Sequence, residues 1–180
     1  MKTTLLLLIT TIALAQPKEC EHYLSFSMAI DICNATVGSA PTNNKPKLDL
    51  LYQFSMVGDN IEVNIGYENF NAIQFDKYTI GVGYLFPIYT YAFGKKIKTV
   101  LIPSIEPTLI DRWGANWETT SSHLSIGGNI ALRWHLSETI AIEWLMNALP
   151  RTDLSTRYPT LNPTAPIKIS NYLKIVYKIN

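Results

Sequence analysis

The sequence predicts an all-β fold, an eight-stranded antiparallel up-and-down β-barrel that crosses a membrane with its strands. Three observations predict it. Apolar residues recur at every second position in eight separate segments, the period of a strand with one apolar face. The connections between those segments alternate long and short. The polar positions hold Gly, Ser, Ala and Asn more than Lys and Glu, which suits a narrow interior better than a face meeting water.

The chain has 180 residues and opens Met1-Lys2-Thr3-Thr4, followed by the mainly apolar run Leu5 to Ala15. A basic start, a short apolar core and the small-x-small close Ala13-Leu14-Ala15 are the marks of a secretory signal peptide. The run is shorter than the ~20 residues a membrane helix needs. Cleavage after Ala15 is expected, leaving 16–180 as a single barrel domain. The 15 basic and 14 acidic residues become 14 and 14 once Lys2 is removed, so there is no electrostatic case for nucleic acid. Charged residues make up only 16% of the chain and the mean hydropathy is +0.08. A soluble β protein needs more charge on its outer faces, whereas a barrel facing lipid does not.

The first segment sets Leu24, Phe26, Met28, Ile30 and Ile32 against Ser25, Ser27, Ala29 and Asp31. The second opposes Leu48, Leu50, Tyr52, Phe54 and Met56 to Asp49, Leu51, Gln53 and Ser55. Gly58-Asp59-Asn60 then favours a tight hairpin into the third, Ile61, Val63, Ile65 and Tyr67 against Glu62, Asn64, Gly66 and Glu68. The fourth runs from Tyr78 to Phe86. The fifth, Leu101 to Leu109, contains Pro103 and Pro107, residues that cannot donate to a ladder and favour edges or bulges. The sixth covers Leu124 to His135, a Ser137-Glu138 turn leads to the seventh over Ile140 to Asn147, and the eighth covers Ile167 to Ile179.

Segments 33–47, 68–77, 111–121 and 150–166 are long and polar, while 58–60, about 91–96 and 137–138 are short. This is the alternation of four long extracellular loops with short periplasmic turns when both chain ends lie in the periplasm. A soluble lipocalin-like barrel, with its apolar face inward around a ligand, is the alternative. Aromatic placement favours lipid outside: Tyr52, Phe54, Tyr84, Phe86, Trp134 and Tyr177 are expected at the periplasmic headgroup level, Tyr67 and Tyr78 at the opposite rim.

On strand count, loop alternation and the terminal strand, residues 21–180 resemble the small outer-membrane β-barrel families of the OmpA-domain and OmpX kind, and the compact porin-like proteins of Bacteroidetes. The resemblance implies a Gram-negative outer membrane, contact with its lipid and lipopolysaccharide, and insertion by the barrel assembly machinery. In those families the last strand ends in an aromatic residue; here Leu173, Ile175, Tyr177 and Ile179 alternate and Asn180 follows.

The inward set Asp31, Asp49, Glu62, Glu106, Arg133, His135, Glu143, Lys168 and Lys174 mixes signs. An eight-stranded lumen is just wide enough for side chains to fill, so these are expected to pair in a closed polar core rather than line a pore. Cys20 and Cys33 bracket the first strand, roughly 40 Å apart at ~3.3 Å per residue, too far for a disulfide. Asn34-Ala35-Thr36 matches a glycosylation acceptor, idle in a bacterium. Arg112, Trp113 and Trp117 are candidate contact residues in the third long loop. No metal cluster or cofactor motif is present in the sequence.

The sequence thus predicts a non-enzymatic integral barrel with a structural or surface-contact role and an extracellular ligand it does not name. One enzymatic alternative comes from a resemblance: outer-membrane lipid A deacylases use a His-x-Ser pair on a barrel strand, and His123-Leu124-Ser125 matches it. Those enzymes place Asn after the Ser, where Ile126 stands here, and Glu143 lies far along the next strand as an acidic partner.

Overall fold

A computed structural model describes residues 22–36, 48–70, 75–92, 95–112, 121–155 and 167–179. The expected signal segment 1–15, Cys20, Trp113, Trp117 and Asn180 lie outside the described residues. The strands are β1 (Tyr23–Asp31), β2 (Leu50–Gly58), β3 (Ile61–Phe70), β4 (Phe75–Tyr84), β5 (Phe86–Ala92), β6 (Lys95–Arg112), β7 (Ser121–His135), β8 (Ile140–Pro150) and β9 (Ile167–Ile179). Two short helices follow strands at the loop end, α1 (Ile32–Thr36) and α2 (Thr152–Ser155).

Each strand pairs antiparallel with its sequence neighbour, and β1–β9 and β4–β6 pairing close the sheet on itself. β4 and β5 meet β6 in one continuous register, Phe75↔Arg112 through Gly83↔Ser104 and on to Phe86↔Leu101 and Ala92↔Lys95. They are two halves of one strand interrupted at Leu85, so the barrel is eight-stranded. Following partners from Tyr23 through Val57, Glu62, Gly83, Ser104, Asn129 and Asn147 to Ser170 ends two residues beyond the Asp31↔Tyr172 pair, at the level of residue 33. That stagger of about ten residues tilts the strands by roughly 40°.

Period-two patterning decides which way each strand faces. β1 reads buried-exposed throughout, with Ser25, Ser27, Ala29 and Asp31 inside and Leu24, Phe26 and Met28 outside. The same division runs round the barrel, leaving Met56, Ile65, Ile80, Ile105, Ile126 and Ile175 each more than half exposed. The interior is polar over most of its length, with an apolar cluster that includes Val57, Leu85, Val100, Ile102 and Leu145. At the β2–β3 hairpin, Asp59 and Asn60 both have positive φ, 52° and 64°, the left-handed pair that a tight two-residue connection requires.

Several sequence expectations are corrected. Ile32 opens α1 rather than ending β1, because the Asp31 carboxylate accepts from the backbone N–H of Cys33 (2.9 Å) and Asn34 (3.3 Å) and caps a helical turn. Segment 68–77 is not a long loop: strand pairing continues to Phe70↔Phe75, leaving only 71–74 as the link. The short turn expected at 91–96 shrinks to 93–94 for the same reason. Tyr52 stands opposite Tyr67, and Tyr67 opposite Tyr78, so Tyr52 joins the aromatics toward the loop end.

The proline-bearing segment is the longest strand, not an edge. Pro103 and Pro107 both face outward on β6, and the β6–β7 ladder is unbroken from Thr99↔Trp134 to Arg112↔Ser121. The ladder to β4 instead lapses opposite the prolines: Ile80 and Gly81 pair with neither Pro107 nor Glu106, and pairing stops before Tyr84 would meet Pro103. The missing proline N–H groups point at β4, which localises the cost to one seam. There Leu85 donates its N–H to the Asn60 carbonyl in the β2–β3 turn instead (2.7 Å). Beyond Leu85, β5 and the first residues of β6 project past the turn end of the barrel as a two-stranded ribbon.

Candidate functional site

The interior is where the chain concentrates its charge, and the register builds it in tiers. Toward the turn end, Arg133, Glu143 and Lys174 are direct cross-strand partners on β7, β8 and β9. Arg133 Nε meets Glu143 at 2.6 Å and Lys174 Nζ meets its other oxygen at 2.6 Å. The guanidinium also reaches across the lumen to Glu62 on β3 (2.8 Å) and donates to the Tyr23 hydroxyl (3.1 Å). Lys174 further donates to the Gln53 side chain (2.7 Å). Glycines make the room: a Cβ at Gly81 would stand 2.6 Å from Asn64 side-chain atoms, and one at Gly66 would stand 2.5 Å from Thr79 Oγ1. Gly81→Val is expected to overpack this tier and destabilise the barrel by about 1–3 kcal/mol, read as a lower urea midpoint of folding in detergent.

The middle tier centres on Glu106, which accepts from Asn129 (2.7 Å) and Asn147 (3.3 Å), two amides that also touch each other. Above it Lys77 and Glu68, a cross-strand pair, stand 2.5 Å apart. The Tyr172 hydroxyl, from β9, donates to Glu68 (2.9 Å) and accepts from Lys77 (3.2 Å).

At the loop end the two helices fold inward. Asn34 is buried and donates to Asp49 (3.1 Å), so the Asn-Ala-Thr triplet offers no accessible amide. Lys168 lies 3.8 Å from Asp31. Asp153 on α2 is fully buried between Arg151, which donates twice (2.7 and 2.6 Å), and Arg112 Nε (3.3 Å). Burial alone would raise the Asp153 pKa, but the hydrogen bonds and charge of Arg151 and the charge of Arg112 outweigh it and hold it below the usual carboxylate value. A depressed folded pKa contributes stability that is complete above the unfolded value near ~4 and is lost as pH falls through the folded one. The clasp of α2 is therefore expected to weaken only as pH falls below ~4, and Asp153→Asn to remove that dependence. Hydrogen exchange of the α2 amides against pH measures it; identical acid profiles for both proteins would refute it.

Of the residues singled out from sequence, Asp31, Asp49, Glu62, Glu106, Arg133, Glu143 and Lys174 are buried and point inward, and Lys168 is half-buried at the loop end. His135 is half-buried at the opposite rim. Arg112 is not a loop residue: it ends β6 and turns into the barrel, because its parity continues that of Glu106 and Thr108. The inward polar set drawn from the sequence left out Glu68, Lys77, Tyr172, Arg151 and Asp153. For the first three the signal was present, since each continues the inward parity of its strand; Arg151 and Asp153 follow β8 and carried none.

Ser125 is buried and its hydroxyl donates to the Pro150 carbonyl (2.5 Å). His123 is half-buried on the same face of β7. Glu143 is bound by Arg133 and Lys174, about 26 Å along the strand from the Ser125 level at ~3.3 Å per residue. The hydroxyl is thus held by backbone rather than aimed at a base, and no acid reaches the pair from Glu143. Lipid A from cells expressing Ser125→Ala is expected to match wild type in acylation by mass; a lost acyl-chain difference would restore the hydrolase reading.

Among the described residues, cavities of about 10 Å³ lie beside Glu62, Asn64 and Lys174 and beside Glu68, Lys77 and Tyr172. Each is room for about one water. Cys33 is exposed with a free thiol. Among the described residues no group of three or more His, Cys, Asp or Glu is arranged to hold a metal ion.

No family model matches the chain, and no curated protein matches it. Solved structures do. The N-terminal β-barrel domain of Pseudomonas aeruginosa OprF superposes with a TM-score of 0.56 at 6% identity, over 88% of this chain and 100% of that one. Neisserial surface protein A (NspA) gives a TM-score of 0.48 at 10% identity, over 88% and 96%. With identity so low, the first of these speaks to the fold alone: this chain is a closed eight-stranded antiparallel barrel, as the OprF N-terminal domain is a β-barrel.

Proposed function

We propose that the chain is an integral protein of a Gram-negative outer membrane, exported by a cleaved signal peptide, with a structural and surface-contact role and no enzymatic activity. The observation that carries this reading is the inversion of the faces. Leucine, isoleucine and aromatic side chains stand outside around the whole barrel while paired charges fill the inside, stable in hydrocarbon and unfavourable in water. The turns and chain ends then lie in the periplasm and the loop end faces outward to meet an extracellular ligand. Lipid and lipopolysaccharide surround the strands, and the barrel assembly machinery inserts them.

The lumen is closed to solutes. Its salt bridges and hydrogen bonds cross from β3 to β7 and from β3 and β4 to β9, and the cavities between them are of single-water size. Unboiled samples of membrane fractions are expected to migrate faster on a detergent gel than boiled ones, since a folded membrane barrel resists detergent until heated. Recovery in the soluble periplasm without that shift would sink the proposal. The purified barrel in a planar bilayer should give no steady conductance.

A further inference from the structure

The ribbon of β5 and the start of β6 gathers positive charge at the turn end. Lys95, Lys96 and Lys98 stand opposite Ala92, Tyr91 and Tyr89 in its register, and no acid occurs between Asp76 and Glu106. Asp59 on the neighbouring β2–β3 turn lies beside His22 (3.8 Å), and Glu138 belongs to the β7–β8 turn. The ribbon's outer face is apolar: Phe86, Ile88, Ile97 and Leu101 continue the outward parity of Tyr84 and Pro103 and are half-buried. On that face the Thr90 and Thr99 hydroxyls bond each other (2.7 Å), tying the two strands together. At its base the Tyr84 and Phe86 rings meet at 4.6 Å between centroids, aromatic residues of the kind that mark a headgroup boundary. Lys98 lies three residues beyond Leu101, the partner of Phe86, toward the ribbon's tip, about 10 Å along the strand at ~3.3 Å per residue. With strands tilted by roughly 40° that is about 8 Å of depth, close to the thickness of one headgroup layer, ~5–8 Å.

We infer that the ribbon docks on anionic phospholipids of the periplasmic leaflet, its apolar face against the upper ends of the chains and its positive charge among the headgroups. The inference rests on the membrane reading, which puts the turn end at that leaflet. Each lysine within a Debye length of an anionic surface adds a favourable increment, and the ribbon carries three with no acid beside them in sequence. A water-borne anionic polymer would meet the same charge but leave Phe86, Ile88, Ile97 and Leu101 facing water. Zwitterionic headgroups cover the apolar face and offer the lysines no net charge. A leaflet holding anionic phospholipid satisfies both.

The test uses the folded barrel in detergent, its heat-dependent gel shift established first, equilibrated with chain-labelled phosphatidylglycerol or with phosphatidylcholine bearing the same chains. Wild type is expected to bind phosphatidylglycerol at least about fivefold more tightly. Salt at about 1 M should bring the two affinities together, because charges are then screened beyond ~3 Å. Lys95→Gln, Lys96→Gln and Lys98→Gln combined should remove the preference, keep the gel shift and leave phosphatidylcholine binding as it was. Equal binding of the two lipids to wild type, or an undiminished preference in the triple variant or at high salt, overturns the inference; a normal gel shift beside that result leaves the membrane reading standing. Should wild type show no lipid preference yet sediment with peptidoglycan through the same lysines, the partner is that polymer and the inference falls. Loss of the gel shift in wild type overturns both readings.

Discussion

Arg133→Met is expected to lower the stability of the folded barrel by about 3–5 kcal/mol, the cost of breaking a buried ion cluster by removing one partner. The guanidinium is 1% exposed and serves Glu62, Glu143 and the Tyr23 hydroxyl at once. Without it Lys174 still neutralises Glu143, but Glu62, itself buried on the opposite wall, loses its cation. Charge, not lost packing, dominates this effect, since methionine keeps much of the apolar stem. Adding Glu62→Gln to Arg133→Met should therefore recover a large part of the loss. Urea titration of the folded gel band, in detergent or lipid vesicles, measures both variants. A single variant within ~0.5 kcal/mol of wild type, or no recovery in the double, would show that Arg133 does not carry the tier.

Ile65→Arg should cost about 2–4 kcal/mol in lipid, the penalty for a basic side chain near the bilayer midplane on a barrel's outer face. Ile65 is central in β3, 57% exposed, and sits in a row with Phe54 and Ile80. In a water-soluble barrel the same substitution, at so exposed a position, would be close to neutral. Ile61→Arg, at the turn end of the same strand and face, should cost only ~0–1 kcal/mol as the side chain reaches the headgroups. The depth dependence is the diagnostic result: equal costs at both positions would argue against a bilayer around the strands.

Strand identity and facing were legible because each outer-face residue advertises its parity locally: Ser25 beside Phe26, Asn64 beside Ile65, Gly127 beside Ile126. What joins distant strands was not. The Arg133–Glu62 contact spans the lumen between β7 and β3 and depends on the stagger accumulated over three strand pairings, which no single segment encodes. Strand ends were misread where polar inward residues near the rim look like loop. Glu68 and Lys77 resemble surface charge in sequence, yet each is paired across the β3–β4 ladder. Prolines at 103 and 107 suggested an edge because a lone strand with two missing donors looks weak. Their spacing of an even number of residues puts both gaps on one seam and leaves the β7 side intact. Asp153 could not have been found by pattern, since its burial comes from α2 folding back over the end of β6.

A closed barrel has no edges to offer another chain, but the ribbon beyond Leu85 breaks that rule. There β5 pairs with β6 alone among the described residues, so one row of its backbone groups faces outward with no strand beside it. Such a row is a template for self-association into larger sheets. Alternation along the ladder assigns Phe86, Ile88 and Thr90 to the bonded side and Pro87, Tyr89 and Tyr91 to the open one. The first open position is thus a residue with no N–H, and Lys95, Lys96 and Lys98 lie on the adjoining strand. Proline and lysine are the residues that blunt an edge against uninvited partners. The ribbon can extend past the barrel without seeding aggregation because its sequence withholds the donor that a second copy would need first.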